Sequence, residues 1–460
     1  MTDVKGFNSL PLRVELLNRL ETMGFDVMTP VQAETLPAML QGQDVLAQAN
    51  TGSGKTAAYG LACLQRLNPK SFHVQSLILC PTRELADQVT QSLRNLAREI
   101  GNTKILTICG GMPLGPQIAS LEHSAHFVVG TPGRILKHLQ KKTLHLSGLD
   151  ILVFDEADRM LDMGFADEID AILGYVPRPR QTLLFSATFP EGVKAIRNKL
   201  GTEMVRFDVT DSSVPQEIEQ LWCSVDESDR HQTLVDVIGH YGGSLNLVFC
   251  NTKVGCAEVT EVLAGHNIAV AALHGDMDQK ERNTTIIRFS NGSINVLVAT
   301  DVAARGLDIE DVETVVNFSL PHQPEVYVHR VGRTGRKGKS GRAISLVGDR
   351  EKSRLLEVQD LIDDQISYCH LPESGTATTK LTPVYSTIEI NGGRKHKLRP
   401  GDILGALTAK DSIKGDSVGK IDLMDRATYV AIEQPKARAA IESINNSKIK
   451  GKMFRARILR

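Results

Sequence analysis

Along the first 206 residues, short apolar runs rich in β-branched side chains alternate with segments whose apolar residues return every three or four positions. The runs at 44–49, 75–80, 104–109, 127–130, 151–155 and 182–186 are strand-length and predict strands, whereas a segment such as 56–67 predicts an amphipathic helix. Alternation of this kind predicts a parallel sheet covered by helices on both faces, with ligands beyond the carboxyl ends of the strands.

A second alternation of the same rhythm fills residues 217–370, with strands expected at 245–250, 269–273, 295–299, 314–318 and 343–347. Residues 384–460 follow another order: strand 385–390, helix 402–408 with Asp402 as its N-cap, strands 418–423 and 428–432, helix 436–445, strand 454–459. That β-α-β-β-α-β order predicts a small open-faced sheet backed by two helices. The polar stretch 208–216 and the segment P-E-S-G-T-A-T-T-K-L-T-P at 372–383 read as linkers. The expected fold class is α/β: two tandem parallel-sheet domains, 1–206 and 217–370, followed by a small α+β domain at 384–460.

Composition narrows the class. At 460 residues the chain is too long for one core, and 41% hydrophobic with 23% charged residues is ordinary for a globular protein. No apolar run approaches a membrane span, and the opening M-T-D-V-K-G-F-N lacks the basic and apolar blocks of a signal peptide, so a cytoplasmic location is expected. The cysteines at 63, 80, 109, 223, 250, 256 and 369 form no C-x-x-C pair and read as buried thiols, not zinc ligands or disulfides. The net charge of −1 hides an asymmetry: residues 384–460 carry 16 Lys+Arg against 8 Asp+Glu, the rest 37 against 46. A basic module on an acidic body attracts polyanions, of which nucleic acid is the commonest.

One loop suits a triphosphate. Residues 46–56 read L-A-Q-A-N-T-G-S-G-K-T, between an expected strand and an expected helix. Gly52 and Gly54 let backbone N–H groups approach phosphates, and the helix start adds the positive end of its dipole. Lys55 reaches the outer phosphates and the Thr56 hydroxyl is placed to ligate Mg²⁺. Ala49 stands where G-x-x-x-x-G-K-[ST] has its first glycine; Ala49, Asn50, Thr51, Gly52, Ser53, Gly54, Lys55 and Thr56 are the expected nucleotide contacts. Farther on, D-E-A-D at 155–158 follows an apolar run. Alone it would read as an acidic helix start at a surface. Behind a buried strand and after a phosphate loop, Asp155 can hold the Mg²⁺ shell and Glu156 can orient and deprotonate a water.

With these motifs in this order the sequence resembles the DEAD-box RNA helicases over essentially all of residues 1–370. The match includes P-T-R-E-L-A (81–86), Gly110-Gly111, T-P-G-R (131–134), S-A-T (186–188), A-T-D-V-A-A-R-G-L-D-I (299–309) and H-R-V-G-R-T-G-R (329–336). The resemblance implies two RecA-like domains whose cleft closes on ATP and single-stranded RNA together. G-F-D-V-M-T-P-V-Q (24–32) has the family's adenine-reading pattern, with Phe7 at the expected distance before it. The Gln32 amide can donate and accept in one plane, which suits adenine, and Phe25 can stack; a core aromatic and a helix cap are the alternatives. Arg333 and Arg336 are implied arginine fingers for the γ-phosphate, against the alternative of a solvated basic turn. Asp301 and Gly306 are implied nucleotide contacts from the same domain. RNA contacts, chiefly to phosphate and 2′-OH, are implied at Thr82, Arg83, Gly111, Thr131, Arg134, Thr252, Gln279, Arg282 and Thr300. Ser186 and Thr188, with His329, are implied to couple hydrolysis to RNA separation.

The tail has the strand order and charge of an RNA-recognition-motif (RRM)-like domain. Its third strand retains Tyr429 but has Ala427 at an expected aromatic position, and the first presents Ile388, which disfavours stacking of bases on the sheet. Basic residues concentrate in G-G-R-K-H-K-L-R (392–399) and K-I-K-G-K-M-F-R-A-R (448–457), which fits a structured hairpin gripped by loops. R-P-G-D-I-L-G-A-L-T (399–408) and K-I-K-G-K (448–452) resemble the DbpA branch of bacterial DEAD-box proteins. That implies a tail tethering the helicase to a hairpin of 23S rRNA during assembly of the 50S subunit; a generic RNA tether or protein-binding module is the alternative. The function expected is an ATP-dependent RNA helicase separating short rRNA duplexes. A nucleotide-gated RNA clamp is the competing class.

Overall fold

The computed structural model describes residues 6–49, 52–201, 203–209, 218–304, 312–335, 340–362, 364–369, 381–409 and 413–459. Two compact units make up the chain, one formed by the first 211 residues and the other by most of the remainder. In the first, β1 (Val45–Gln48), β2 (Ser76–Leu79), β3 (Ile105–Ile108), β4 (Phe127–Gly130), β5 (Ile151–Phe154), β6 (Gln181–Ser186) and β7 (Val205–Asp208) form one sheet in the order β3-β4-β2-β5-β6-β1-β7. Every pairing is parallel. Successive residues alternate between two cores: Val45, Ala47, Val153 and Phe185 enter one with Tyr59, while Leu46, Leu152, Phe154 and Leu184 enter the other. Burial on both faces is why these strands read as unbroken apolar runs.

The second unit repeats the plan with β8 (Ile218–Ser224), β9 (Asn246–Cys250), β10 (Val270–Leu273), β11 (Val296–Thr300), β12 (Thr314–Asn317), β13 (Gly341–Val347) and β14 (Ser367–Tyr368), ordered β10-β11-β9-β12-β13-β8-β14 and again all parallel. Pairing of β14 with β8 sets Cys369 beside Cys223, and the two are disulfide-bonded with Cα atoms 5.2 Å apart. The reading of every cysteine as a free thiol is therefore corrected for this pair. A sequence separation of 146 gives no hint of the neighbourhood that strand pairing creates. Cys63, Cys80, Cys109, Cys250 and Cys256 are buried free thiols.

The tail contributes β15 (Tyr385–Ile390), β16 (Val418–Leu423), β17 (Thr428–Glu433), the short hairpin β18 (Lys448–Ile449) and β19 (Lys452–Met453), and β20 (Ala456–Ile458). Four of them make an antiparallel sheet, β16-β17-β15-β20. The helices Pro400–Thr408 and Ala437–Asn445 cover one face through Ile403, Leu407, Ala440 and Ile444. Two expectations change here. Arg399, not Asp402, is the N-cap; Asp402 lies three residues in, and its Oδ2 accepts from Arg399 N at 2.7 Å. Ile388 is buried against the helices, so strand alternation turns Thr387 and Glu389, not Ile388, to the open face. Glu389 pairs there with Arg457 at 2.7 Å.

Part of that open face is already covered from within the same unit. The helix Gln279–Ser290 ends in a turn at Asn291 and Gly292, the latter at φ 65°, and Ser293 Oγ lies 2.6 Å from Thr387 Oγ1. Lys420 Nζ donates to Ser290 Oγ at 3.3 Å, and the Tyr385 ring abuts Gly292. Thr387 and Ala431, neighbours across β15 and β17, are consequently buried. The first expected linker begins later than 208, since Asp208 ends β7, and 210–216 and 372–380 lie outside the described residues.

Candidate active site

β1 leads into the helix Lys55–Arg66 through a turn that needs glycine twice, with Gly52 at φ 85° and Gly54 at φ 96°. A Cβ on Gly54 would also sit 2.6 Å from Gln32 Nε2. Gln32 is buried near the start of the helix Pro30–Leu40. Its Oε1 accepts from Thr29 N at 2.9 Å, and its Nε2 donates to Gly54 O at 3.2 Å. One amide thus caps its own helix and holds the glycine loop. Phe25 is exposed. Lys55 is buried and donates to Ala49 O at 2.9 Å, while Thr56 follows it in the first helical turn. Asn50 and Thr51 lie outside the described residues; Ser53 is inside the turn.

At the end of β5, two strands from β1 in the sheet, Asp155, Glu156, Asp158 and Arg159 are all at most 4% exposed. Charges so deeply buried persist only when partnered. Asp155 Oδ2 accepts from Tyr59 OH at 2.8 Å, one helical turn beyond Lys55. Burial pushes the Asp155 carboxyl up to about 6, with Lys55 pulling down and Glu156 adding to the rise. Glu156 adopts φ 56°, ψ 56°, and its Oε2 accepts from Arg159 Nη1 at 3.0 Å. Asp158 Oδ2 accepts from Thr188 N at 2.9 Å and Thr188 Oγ1 at 2.8 Å. Against burial, which acts upward, those hydrogen bonds hold the Asp158 carboxyl below its usual range. Ser186 Oγ accepts from Asp158 N at 3.2 Å and donates to Thr188 O at 2.7 Å. S-A-T and D-E-A-D, about 30 residues apart, are thus one hydrogen-bonded unit.

Other motifs sit at neighbouring strand ends. Thr82 caps the helix Arg83–Leu96 by accepting from Leu85 N at 3.2 Å, and Arg83 pairs with Asp87 at 3.5 Å. Gly111 follows β3 at φ 73°, and Thr131 precedes the helix Pro132–Gln140 after β4. Arg134 Nη1 donates to Met112 O at 2.9 Å and Gln117 Oε1 at 2.8 Å, bracing the two loops. Gln117 Nε2 donates to Cys109 O at 3.0 Å, and His138 Nε2 lies 3.1 Å from Gln117 Oε1. Gln117 and His138 were not legible in sequence, since neither belongs to a recognisable motif.

His138 makes the brace sensitive to acid. Burial, then Arg134 and Lys137, lower its pKa below the ordinary 6.5. The unfolded chain therefore takes up a proton more readily, and the stability from neutral His138 is present above pH 6.5 and lost as pH falls through the folded value. Thermal melting should show a drop between about pH 7.5 and 5.5 that is smaller in His138→Gln. Equal drops in both proteins would contradict this.

In the second unit, Thr252 caps the helix Lys253–Gly265 by accepting from Gly255 N at 3.0 Å, Gln279 opens the helix after β10, and Thr300 ends β11. Arg282 Nη2 lies 3.4 Å from Ala303 O. Asp301 is gripped by Arg330, whose Nε and Nη2 donate to its two oxygens at 2.6 and 2.7 Å. Arg330, 1% exposed, also donates to Asn251 Oδ1, Asn317 Oδ1 and Ser319 O, and its guanidinium lies over Phe249. It fixes the ends of three strands, a role sequence reading did not assign within H-R-V-G-R-T-G-R. His329 is half-buried beside it and Arg333 is buried one turn on. Gly306 and Arg336 lie outside the described residues.

The tail's two basic segments meet. Lys450, in the turn of the β18–β19 hairpin, donates to Lys397 O at 2.8 Å and pairs with Asp402 at 2.7 Å. Arg394, Lys395, Lys397, Arg399, Lys448 and Lys452 surround this junction with exposed side chains. Phe454 packs under it on Gly392, where a Cβ would come within 2.4 Å of the ring.

Among the described residues no three His, Cys, Asp or Glu gather into a metal cage. Asp155, whose carboxylate meets Tyr59 at the end of β5, is an oxygen donor of the kind Mg²⁺ takes, since that ion is ordinarily held by one or two protein groups together with substrate phosphates. No described helix is long and apolar enough to cross a membrane.

Comparison with known proteins agrees with this arrangement. Residues 29–196 match the DEAD/DEAH box helicase family, 229–338 the helicase conserved C-terminal domain, and 387–458 the DbpA RNA binding domain. The chain is 46% identical to the ATP-dependent RNA helicase DbpA of Escherichia coli (strain K12) over 460 residues, covering 100% of both. It is 42% identical to the DEAD-box ATP-dependent RNA helicase CshA of Bacillus subtilis (strain 168), over 77% of this chain and 72% of the relative. Among solved structures it is similar to S. cerevisiae Dbp5 bound to RNA and ADP BeF3, with a TM-score of 0.72 and 32% identity over 79% of this chain and 95% of Dbp5. Mss116p bound to ssRNA and AMP-PNP gives the same TM-score at 25% identity, covering 89% and 86%.

Proposed function

Because the chain belongs to the DEAD-box ATP-dependent RNA helicases of DbpA type, we propose that it separates short rRNA duplexes next to a 23S rRNA hairpin held by its tail, during assembly of the 50S subunit. The observation that carries the targeting is the meeting of the basic segments 392–399 and 448–457 at Lys450 and Lys397. It offers a compact cationic surface suited to the backbone of a folded stem, while the open sheet face, where single strands stack, is partly occupied.

In this reading the glycine turn and the helix start receive the triphosphate, and Lys55 leaves Ala49 O for the outer phosphates. Phe25 and Gln32 read adenine, and Gln32 passes that contact to the phosphate turn through Gly54. Thr56 and Asp155 would hold Mg²⁺, which neutralises charge on the phosphate oxygens when bound. Glu156 orients the attacking water and takes its proton. Asp301, Gly306, Arg333 and Arg336 act from the second sheet, so turnover waits on closure of the two domains. Thr82, Arg83, Gly111, Thr131, Thr252, Gln279, Arg282 and Thr300 contact RNA phosphate and ribose, with Arg134 bracing its loop as well. The Asp158–Ser186–Thr188 unit, with His329, couples turnover to strand separation.

The test is ATPase stimulation by a panel of RNAs at fixed salt, with and without residues 384–460. The shortened protein should keep its basal ATPase and its stimulation by generic RNA, and lose the preference for the 23S fragment. A preference that survives would move recognition into the helicase domains. Salt must be held constant, because affinity that rests on phosphate contacts changes by about 10³–10⁵ between 50 and 200 mM.

A further inference from the structure

Each carboxylate of residues 155–158 has a committed partner: Asp155 has Tyr59, Asp158 has Thr188, and Glu156 has Arg159. The first two partners are neutral. The third is a full charge, and both members of the pair are nearly inaccessible, at 3% and 4% side-chain exposure. The meeting depends on a backbone feature. Glu156 stands in the left-handed region, φ 56° and ψ 56°, directly before the six-residue helix Ala157–Asp162. That kink carries the chain from β5 into the helix and lets a side chain at the helix start face one three residues later. The backbone N of Arg159 donates to Asp158 Oδ1 at 3.0 Å, and its guanidinium is held in the buried pair with Glu156.

We propose that Arg159 is the positioning residue of the reaction: it holds Glu156 by one carboxylate oxygen, Oε2, so that the other is aimed at the attacking water. A carboxylate on a flexible stem has several rotamers, and a charged hydrogen bond in a water-poor site selects one of them. Arg159 touches neither nucleotide nor water in this account and acts through Glu156 alone. The inference rests on the reading of Glu156 as general base, so the test separates the two.

The experiment compares Arg159→Gln and Arg159→Lys, each with and without Glu156→Gln, in single-turnover ATP hydrolysis at saturating RNA. Mant-ADP binding serves as the check on folding and on the nucleotide site. Arg159→Gln should lower the rate constant by about 10- to 100-fold while the KM for ATP and the mant-ADP affinity move by less than about threefold, the split expected when only a transition-state arrangement is lost. Arg159→Lys, which keeps the charge, should recover at least about half of that loss on a logarithmic scale. In the Glu156→Gln background Arg159→Gln should change the residual rate by less than about twofold, because residues acting as one unit are not additive. An equal fold-loss in both backgrounds, a parallel change in mant-ADP affinity, or a lysine variant no better than glutamine would each overturn the proposal. If Glu156→Gln alone turns over like the parent, it is the general-base reading that fails.

Discussion

Replacing Arg333 with alanine is expected to cut RNA-stimulated ATP turnover by about 10³-fold or more, the scale on which arginine fingers act. Its position supports so large an effect. Arg333 follows the helix Pro324–Val331, its N–H bonded to Arg330 O at 3.1 Å, and Arg330 is locked to Asp301, Asn251 and Asn317. Arg333 is itself buried, and as an arginine finger it would stabilise charge that grows only in the transition state. Nucleotide affinity should therefore change far less than the rate, and Arg333→Lys should recover little, since an ammonium lacks the planar fork. Steady-state ATPase with saturating RNA, alongside nucleotide binding, checks both. A variant that binds ATP poorly but turns over normally when saturated would place Arg333 in ground-state binding instead.

The second large effect is expected at Glu156. Glu156→Gln should slow turnover by about 10²–10⁴-fold, the usual worth of a positioned proton acceptor, and leave ATP and RNA binding intact. Glutamine fills the same space and can still accept from Arg159, so the packing at the end of β5 should survive. Undiminished RNA-stimulated hydrolysis would remove Glu156 from the chemistry. Duplex separation should fall with hydrolysis if turnover releases the RNA for another cycle, and a multiple-turnover unwinding assay reads this directly.

The parallel strands at the centre of both sheets were legible because burial on two faces leaves an unmistakable apolar run. β7 and β8 were not, since V-R-F-D and I-E-Q-L-W-C-S alternate with polar residues nearer the sheet edges, and β14 is two residues long. The phosphate turn and D-E-A-D were legible because their chemistry is local in sequence. Tyr59, Gln117, His138, Arg159 and Arg330 were not singled out. Tyr59, Gln117, His138 and Arg330 reach partners distant in sequence, and Arg159 meets Glu156 three residues back only where the chain leaves β5 through a left-handed turn; an aromatic, an amide or an arginine in a helix carries no mark of that. Ile388 shows the sensitivity of such reading: assigning it to the open face exchanged the buried row of β15 for the exposed one.

The turn after the helix Gln279–Ser290 has a bearing on how a captured RNA is presented. Ser293 and Lys420 fasten the tail to the second helicase domain at points far in sequence from the connecting segment, so its heading is set by a joint and not by the length of a leash. A stem held at Lys397 and Lys450, as the proposed function has it, would inherit that heading. On the proposed function, the distance from that anchor to Thr252, Gln279, Arg282 and Thr300 of the same unit would be set by the joint, and would act as a gauge along the substrate.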